Sequence, residues 1–398
     1  MIPEKTVGAP GANTGGCRVL RVMSKLNFGG TELRTAELVP RLATAGVETH
    51  IVTLSQEIGA GPLADLVRQH GGTITPLPLD LRFPARFLRL LRQLRPNAVH
   101  VDCANFSGFV LTLAKVGGIP VRIAHFRGDD NQPRNMRRRA NRWFFGRLLR
   151  LSATDILGVS PGSLTFGYDR EWRNDQRCQV VLNGLDIDRL LLAGHDSLRT
   201  LAGAGPDDLL CVNVGRGAPD KRRSLLPPIL AALRAADVPA HVFLIGPDEH
   251  DDDLLVRAAA AEHHLSSRVH ILGARDDVGS LLRQADVVIH PSCVEGLPGG
   301  VLEPVALGIG TVASNLPGVR FIDEHLPGVT IVETVAAPEV WAAAVLNAAQ
   351  HTASTDPAEA VHRFTRSVFA IDEAVVRHLA IYRRPRTQES VQPHGARR

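Results

Sequence analysis

Short apolar segments rich in β-branched residues alternate with longer amphipathic segments, and this rhythm runs twice along the chain. Such alternation is typical of parallel sheets whose strands are joined by helices. The first half predicts strands at residues 18–24, 49–54, 73–78, 98–102, 121–125, 155–159 and 179–182. The second half predicts strands at residues 209–214, 241–245, 269–272, 287–290, 311–314 and 330–332. The pattern therefore indicates an α/β protein with two doubly wound sheets that face each other across a cleft.

The balance of charge changes sign near residue 185. Residues 1–185 carry 25 Lys and Arg against 14 Asp and Glu, whereas residues 186–380 carry 15 against 26. We take this change as a domain boundary. The sequence accordingly predicts a disordered arm (1–16), an N-terminal domain (17–185), a C-terminal domain (186–356), a helix that packs back on the N-terminal domain (357–382) and a disordered basic tail (383–398).

Composition excludes several classes of protein. No apolar run approaches the roughly 18 residues of a membrane-spanning helix, and residues 1–16 lack the apolar stretch of a secretory signal. The five cysteines stand singly, which argues against a zinc cage and against a disulfide framework. We therefore expect a cytoplasmic protein, whose positive N-terminal half allows a peripheral position on the inner face of the cell membrane.

Two loops that follow predicted strands carry residues suited to phosphate. Gly29 and Gly30 precede a helix, where a glycine backbone can approach an anion at the positive helix end. A tight strand-to-helix turn is the alternative. Arg216 and Lys221 follow the first strand of the second half, and a guanidinium with an ammonium suits a diphosphate. A solvated basic turn is the alternative for this pair.

A third loop, from His290 to Glu303, carries the strongest pattern. Glu295 and Glu303 bracket a Gly/Pro-rich segment that opens a helix. Free backbone N–H groups there can cradle a diphosphate, while the carboxylates accept hydrogen bonds from sugar hydroxyls. Alternatively, Glu295 is a loop charge and Glu303 complements the helix dipole. The first interpretation predicts a donor site made of Gly29, Gly30, Arg216, Lys221, Glu295, Gly296, Leu297, Gly299, Gly300, Val301, Leu302 and Glu303.

These motifs, in this order, resemble the retaining glycosyltransferase family 4. Glu295 and Glu303 resemble its E-x7-E signature, and residues 181–186 (VLNGLD) its NGVD linker. The glycine loop and the Arg/Lys pair also match, although Arg222 stands where the family usually has glycine. The likeness covers about residues 18–380, and the segment 160–168 is similar to the capsular and exopolysaccharide branch. It implies a GT-B fold of two Rossmann-like domains.

The resemblance also implies roles for catalytic residues. Glu295 is expected to contact the hydroxyls of the donor sugar and Glu303 the ribose, while Arg216 and Lys221 neutralise the diphosphate. His125 matches the family's histidine beneath the donor sugar, although a single histidine at a strand end is often structural. No metal and no cofactor are expected beyond the nucleotide-sugar co-substrate.

Other charged segments support weaker predictions. Asp186 and Asp188 have metal-site spacing but lie in the linker, and the acids 251–253 precede a helix, so no metal site is predicted. The basic segment 134–150 interleaves arginines with aromatic residues, as in helices that dock on anionic lipid. A helix that packs its aromatics inward is one alternative; nucleic acid is another, without a recognised module to support it. The predicted acceptor or membrane residues are Asp129, Asp130, Arg137, Arg138, Arg139, Arg142 and Trp143.

The sequence thus predicts a retaining, metal-independent glycosyltransferase. It would move a sugar from a nucleoside diphosphate, with UDP favoured, to a hydroxyl of a glycan, a glycolipid or a small molecule, and it would not bind nucleic acid. One alternative is an epimerase or hydrolase of nucleotide sugars on the same fold, which would need no acceptor. Another is a non-catalytic protein that binds sugar nucleotides.

Overall fold

The computed structural model describes residues 16–26, 29–55, 62–128, 136–194, 196–248 and 251–384, apart from the side chains of Pro62, Arg137 and Arg138. The predicted N-terminal arm, except Gly16, and the predicted tail beyond Arg384 lie outside the described residues.

The first domain is built on a sheet of seven parallel strands in the order β3-β2-β1-β4-β5-β6-β7. Its central strands are largely buried, and besides apolar residues they carry the buried polar side chains of Arg21, His100 and His125. The strands are β1 (Cys17–Met23), β2 (Val47–Thr53), β3 (Thr73–Pro76), β4 (Ala98–Val101), β5 (Val121–Phe126), β6 (Asp155–Gly158) and β7 (Cys178–Val180). The helices between them are α1 (Gly30–Thr44), α2 (Pro62–Gln69), α3 (Phe83–Leu94), α4 (Ser107–Val116) and α5 (Met136–Ser152).

The second domain repeats this plan with six parallel strands in the order β10-β9-β8-β11-β12-β13. The strands are β8 (Leu209–Val214), β9 (Ala240–Ile245), β10 (Val269–Gly273), β11 (Val287–His290), β12 (Thr311–Ser314) and β13 (Val329–Val332). The helices are α6 (Ile187–Leu191), α7 (Leu198–Ala202), α8 (Leu226–Ala235), α9 (Asp252–Glu262), α10 (Val278–Leu282), α11 (Gly299–Ala306), α12 (Pro317–Asp323) and α13 (Pro338–Ser354). The predicted fold class, with two doubly wound sheets, is confirmed.

The C-terminal segment crosses between the domains. It forms two helices, α14 (Pro357–Thr365) and α15 (Ile371–Tyr382), where the sequence predicts a single helix over 357–382. The α14 helix packs on α11, and Phe369 in the following turn is buried in the second domain. The chain then returns past the linker, where the amide of Leu185 donates to the carbonyl of Phe369 (2.9 Å). Helix α15 completes the core of the first domain through Ile371, Ala374, Ile381 and Tyr382.

Gly184 lies where the linker passes α15. Its φ is +72°, and a Cβ there would lie 2.7 Å from the Cβ of Ala374 and 2.9 Å from the Cα of Ile371. The linker and α15 therefore approach so closely that a side chain at this position has no room.

We predict that Gly184→Ala destabilises the protein by about 2 kcal/mol, because it adds overpacking to the strain of a positive φ. Gly71→Ala is the matched control, since Gly71 has φ +77° but open space around its Cα. Urea unfolding of both variants measures the effect. Equal losses of stability in the two variants would show that the contact with α15 does not matter.

Candidate functional site

The loops after β8 and β11 meet at the carboxyl edge of the second sheet, beside the point where the strand order reverses. In open α/β sheets this is the usual place for ligands. Two contacts join the loops: the amide of Cys293 donates to the carbonyl of Asp220 (2.8 Å), and Nζ of Lys221 donates to Oε1 of Glu295 (2.7 Å). Lys221 and Glu295, which the sequence analysis assigns to one donor site, are therefore neighbours.

The carboxylate of Glu295 is held by one of its two oxygens. Its Oε1 also accepts from Nε2 of His290 (2.9 Å), and the side chain is 13% exposed. Burial by itself would raise the pKa of Glu295, but Lys221 and His290 outweigh it and lower the pKa to about 2. Oε2 of Glu295 accepts no hydrogen bond from the described residues. It is not completely buried either, so it retains contact with solvent. Glu295 thus presents one anchored and one available oxygen.

Glycines around this carboxylate are required by close packing. A Cβ at Gly300 would lie 2.6 Å from the carbonyl oxygen of Val214 and 2.8 Å from Nδ1 of His290. A Cβ at Gly296 would overlap the carbonyl oxygen of Arg127, which belongs to the first domain. The loop of the second domain therefore touches the end of β5 backbone to backbone, and the cleft is closed at this point.

Glu303 lies in α11, and its carboxylate joins a ring of four charged side chains. Arg34 donates to Glu37 (2.5 Å) and to Oε1 of Glu303, while Arg189 donates to Glu37 (2.6 Å) and to the same Oε1 (2.9 Å). Arg34 and Glu37 belong to α1 of the first domain, whereas Arg189 lies in α6. As with Glu295, Oε2 of Glu303 accepts no hydrogen bond from the described residues and is not completely buried.

The remaining predicted residues of this loop have different environments. Helix α11 begins at Gly299, and the amides of Val301 (3.2 Å) and Leu302 (3.0 Å) both donate to the carbonyl of Pro298. Among the described residues, only the amides of Gly299 and Gly300 are therefore left without an acceptor at this helix end. The side chains of Val301 and Leu302 are buried in the core of the second domain, and Leu297 packs against the same core. These three side chains therefore pack in the core and offer no polar contact to a ligand.

The glycine loop before α1 is covered by an acidic side chain. A Cβ at Gly29 would overlap the carboxylate of Glu32, so an anion could reach Gly29 on this side only if that carboxylate moved, whereas a Cβ at Gly30 would meet open space. Burial raises the pKa of Glu32, and the positive charges of Arg216 and Lys25 partly offset this. Arg216 is half-buried after β8, so its charge acts across the cleft on the first domain.

The backbone conformation of Arg222 explains why the family usually has glycine at this position. Its φ is +51°, in the left-handed region that glycine adopts without strain. The Arg222 guanidinium donates to the carbonyl of Thr334 (2.5 Å). Arg223, by contrast, is fully buried and paired with Asp252 (2.6 Å), so the basic turn is not simply solvated.

His125 does not line the cleft. It lies within β5, which continues to Phe126, and its side chain is fully buried. Its Nε2 donates to the carbonyl of Val181 (3.2 Å), so its Nδ1 accepts from Nε2 of His100 (3.0 Å). The hydroxyl of Tyr382 in turn donates to Nδ1 of His100 (2.8 Å). Contact between His125 and a donor sugar is therefore not supported; this geometry favours the structural alternative.

A cluster that the sequence argument missed lies beside these histidines. Asp102 follows β4, and its fully buried carboxylate accepts from Arg21 (2.9 Å) and from Arg127 (2.7 Å), which follows β5. Burial would raise the pKa of Asp102, but Arg127 and Arg21 hold it well below its usual range. The sequence does contain a signal for this cluster, because Asp102 and Arg127 each stand directly after a strand. The carboxyl ends of neighbouring parallel strands meet at one edge of the sheet, which brings such residues together.

Three of the buried histidines, His100, His125 and His378, lie close enough together to hold a metal ion. The ring nitrogens of His100 and His125 are already hydrogen-bonded to one another and to other groups. The guanidiniums of Arg21 and Arg127 lie on the neighbouring Asp102, so a divalent cation would add to the positive charge that is buried here. The hydrogen-bonded chain is the better description of this cluster.

The predicted acceptor and membrane residues are only partly described. Asp129 and Asp130 lie outside the described residues, as do the side chains of Arg137 and Arg138. Arg139, Arg142 and Trp143 lie on one face of α5 and line a cavity of about 710 Å³, together with Asn105, Gly146, Arg147, Arg150 and Tyr168. In the described part of the chain, no helix combines the length and hydrophobicity needed to span a bilayer.

The pairing of Glu295 predicts how stability depends on pH. Because the folded pKa is lowered from 4.5 to about 2, the carboxylate contributes stability that is present above pH 4.5 and is lost as the pH falls toward 2. Glu295→Gln should cost about 3 kcal/mol at pH 7, and this difference should shrink as the pH falls through that window. Urea unfolding between pH 7 and pH 3.5 measures it, with Glu262→Gln on the exposed face of α9 as control. A pH-independent difference would contradict the assignment.

Known proteins resemble the chain over both domains. The model described as Glycosyltransferase Family 4 matches residues 28–189, and the one described as Glycosyl transferases group 1 matches residues 208–351. Putative glycosyltransferase EpsF of Bacillus subtilis (strain 168) is 26% identical over 345 residues, which are 83% of this chain and 88% of EpsF. Capsular polysaccharide biosynthesis glycosyltransferase CapH of Staphylococcus aureus is 22% identical over 332 residues, 82% of this chain and 89% of CapH.

A solved structure has the same architecture. HepE of Anabaena, crystallised in complex with UDP-glucose, superposes with a TM-score of 0.74 at 18% identity, covering 90% of this chain and 97% of the HepE chain. With two GT-B domains, each matched by a glycosyltransferase model, and the E-x7-E carboxylates at the carboxyl edge of the second sheet, the chain belongs to glycosyltransferase family 4, in the branch that includes capsular polysaccharide enzymes.

Proposed function

We propose that this glycosyltransferase transfers a sugar from a nucleoside diphosphate, with UDP favoured, to a hydroxyl of a glycan or glycolipid, with retention of configuration and without a metal. The observation that carries this proposal is the state of the two glutamates. Glu295 and Glu303 are each anchored through Oε1 and leave Oε2 available, so both can accept hydrogen bonds from a polyhydroxylated ligand. The UDP-glucose bound by HepE supports a nucleotide-sugar donor.

In the proposed complex the donor lies against the second domain. Oε2 of Glu295 accepts from hydroxyls of the sugar, and Oε2 of Glu303 accepts from the ribose. Lys221, Arg216 and the backbone N–H groups at the start of α11 surround the diphosphate. These groups supply the positive charge that a metal ion supplies in other transferases, which is why no metal is needed.

The reaction breaks the bond between the anomeric carbon and the diphosphate oxygen and forms a bond from that carbon to the acceptor oxygen. The acceptor proton passes to the departing diphosphate on the same face of the sugar, so the configuration is retained. Charge that builds on the diphosphate is stabilised by cations already in place, which is an efficient form of electrostatic catalysis. Contact between Gly296 and Arg127 closes the cleft and excludes water that would otherwise hydrolyse the donor.

The first experiment is a thermal-shift screen of UDP-, GDP- and dTDP-sugars, followed by transfer assays with the donor that stabilises the protein most. Product analysis by NMR gives the anomeric configuration, and EDTA should leave the rate unchanged. Donor consumption without an acceptor would instead indicate a hydrolase or epimerase. Binding without turnover of any donor would indicate a non-catalytic protein.

We predict that Lys221→Ala and Glu295→Ala each lower kcat/KM by about 100-fold or more, because each removes a charged contact to the donor. Lys115→Ala, at the exposed end of α4, is the matched lysine control. Circular dichroism checks that the variants are folded. Normal transfer rates in either folded variant would remove that residue from the donor site.

A surface of the first domain favours an anionic membrane as a second partner. On α5, Trp143 is 69% exposed and Phe144 52% exposed, while Phe145 and Leu149 pack inward. Two aromatic side chains thus remain at the surface of a helix rich in arginine. Such a surface suits the interface of a bilayer that contains acidic lipids.

Trp143→Ser/Phe144→Ser should reduce flotation with liposomes of phosphatidylglycerol and phosphatidylcholine several-fold at low salt, because the apolar anchor is lost. Leu254→Ser/Leu255→Ser is the control, since these leucines are comparably exposed on α9 of the acidic second domain. If the parent protein does not float with these liposomes, the membrane proposal is wrong.

A further inference from the structure

The ring around Glu303 links the two domains through a side chain expected to bind the nucleotide. Four charged groups alternate in it, two guanidiniums and two carboxylates, so the ring is neutral. Arg34, Glu37 and Glu303 are almost completely buried, and Arg189 is partly exposed. Arg34 therefore reaches from α1 of the first domain into the second domain.

The ring is poorly explained as a device for stability alone. Desolvation of buried ions offsets their attraction, so a buried ion pair is weak evidence of a stabilising role. The geometry is also specific, because both arginines donate to the same oxygen of Glu303. This arrangement holds Oε1 in place and leaves Oε2 without a donor among the described residues.

The two arginines move differently when the domains separate. Arg189 lies in α6, which packs on α10 and α11, and a Cβ on Gly279 of α10 would overlap the backbone of Leu190. Arg189 therefore remains beside Glu303 in any arrangement of the domains. Arg34 belongs to the first domain and can hold Glu303 only when the cleft is closed.

We propose that Arg34 is a positioning residue for nucleotide recognition: in the closed protein it fixes the Glu303 carboxylate so that Oε2 accepts from a ribose hydroxyl. This rests on the proposed function, in which Glu303 contacts the ribose. A residue of the first domain thus completes the nucleoside subsite of the second. Selection for ribose over deoxyribose then depends on closure, because the aligned carboxylate exists only in the closed arrangement.

The test compares dissociation constants, measured by calorimetry, for UDP and for its 2′-deoxy and 3′-deoxy analogues. If the donor screen selects another base, the corresponding diphosphates replace them. The readout is the ratio of the analogue constant to the parent constant, which a general loss of stability does not alter. The variants are Arg34→Gln, Glu303→Gln and the charge-balanced double variant Arg34→Gln/Glu37→Gln.

Arg41→Gln is the matched control. Arg41 also lies on α1 and also crosses between domains, to Asp186 (3.2 Å) and Asp188 (3.4 Å), but it makes no contact with Glu303. It therefore reports the effect of losing an interdomain ion pair on this helix. Circular dichroism confirms that each variant is folded.

We expect at least one ratio to fall about fivefold or more in both Arg34 variants and in Glu303→Gln, and to stay unchanged in Arg41→Gln. Adding Arg34→Gln to Glu303→Gln should then cause no further fall, because both act through one contact. If Glu303→Gln leaves the ratios unchanged, the ribose role of Glu303 is wrong and this inference fails with it. If Glu303→Gln lowers a ratio but the Arg34 variants do not, or Arg41→Gln lowers it equally, only the role of Arg34 is overturned.

Discussion

Pairing of buried carboxylates with cations from distant parts of the chain is the interaction on which this structure depends. An ionised carboxylate removed from water costs several kcal/mol unless a partner lies close. Lys221 partners Glu295 across 74 residues of sequence, and Arg34 partners Glu303 across 269. Lys221 can pair with Glu295 once the second domain has folded, whereas the full pairing of Glu303 also needs Arg34 of the first domain. The geometry of the site is therefore a property of the complete chain.

Lys221 consequently has two electrostatic partners in the proposed cycle. Without a donor it neutralises Glu295, and with a donor it also faces the diphosphate. Gly300 allows the helix that carries Glu303 to start in close contact with His290, which holds Glu295. Gly296 allows the first domain to reach this loop without a side chain between them. Small residues and paired charges together let these loops and the first domain pack closely.

Much of the fold could be predicted from the sequence because its signals are local. Strand periodicity predicted both sheets, and the Gly/Pro-rich segment between Glu295 and Glu303 predicted the start of α11. Lys221 was assigned to the same site as Glu295, but Arg34 could not be predicted as the partner of Glu303, since no local pattern links α1 to α11. The buried hydrogen bonds of His125 could not be predicted either, because its partners His100 and Val181 lie in other parts of the chain. Asp102 escaped notice because its partners, Arg21 and Arg127, come from two other strands.

Helix α15 has a consequence for how the chain is synthesised. Ile371, Ala374, Ile381 and Tyr382 belong to the core of the domain whose strands the ribosome makes first. That core also includes Val19, and its apolar face stays uncovered until nearly the entire chain has emerged. The second domain, by contrast, can collapse before then. During translation the first domain is therefore completed after the second. Until then the nascent chain exposes an apolar surface of the kind that chaperones bind.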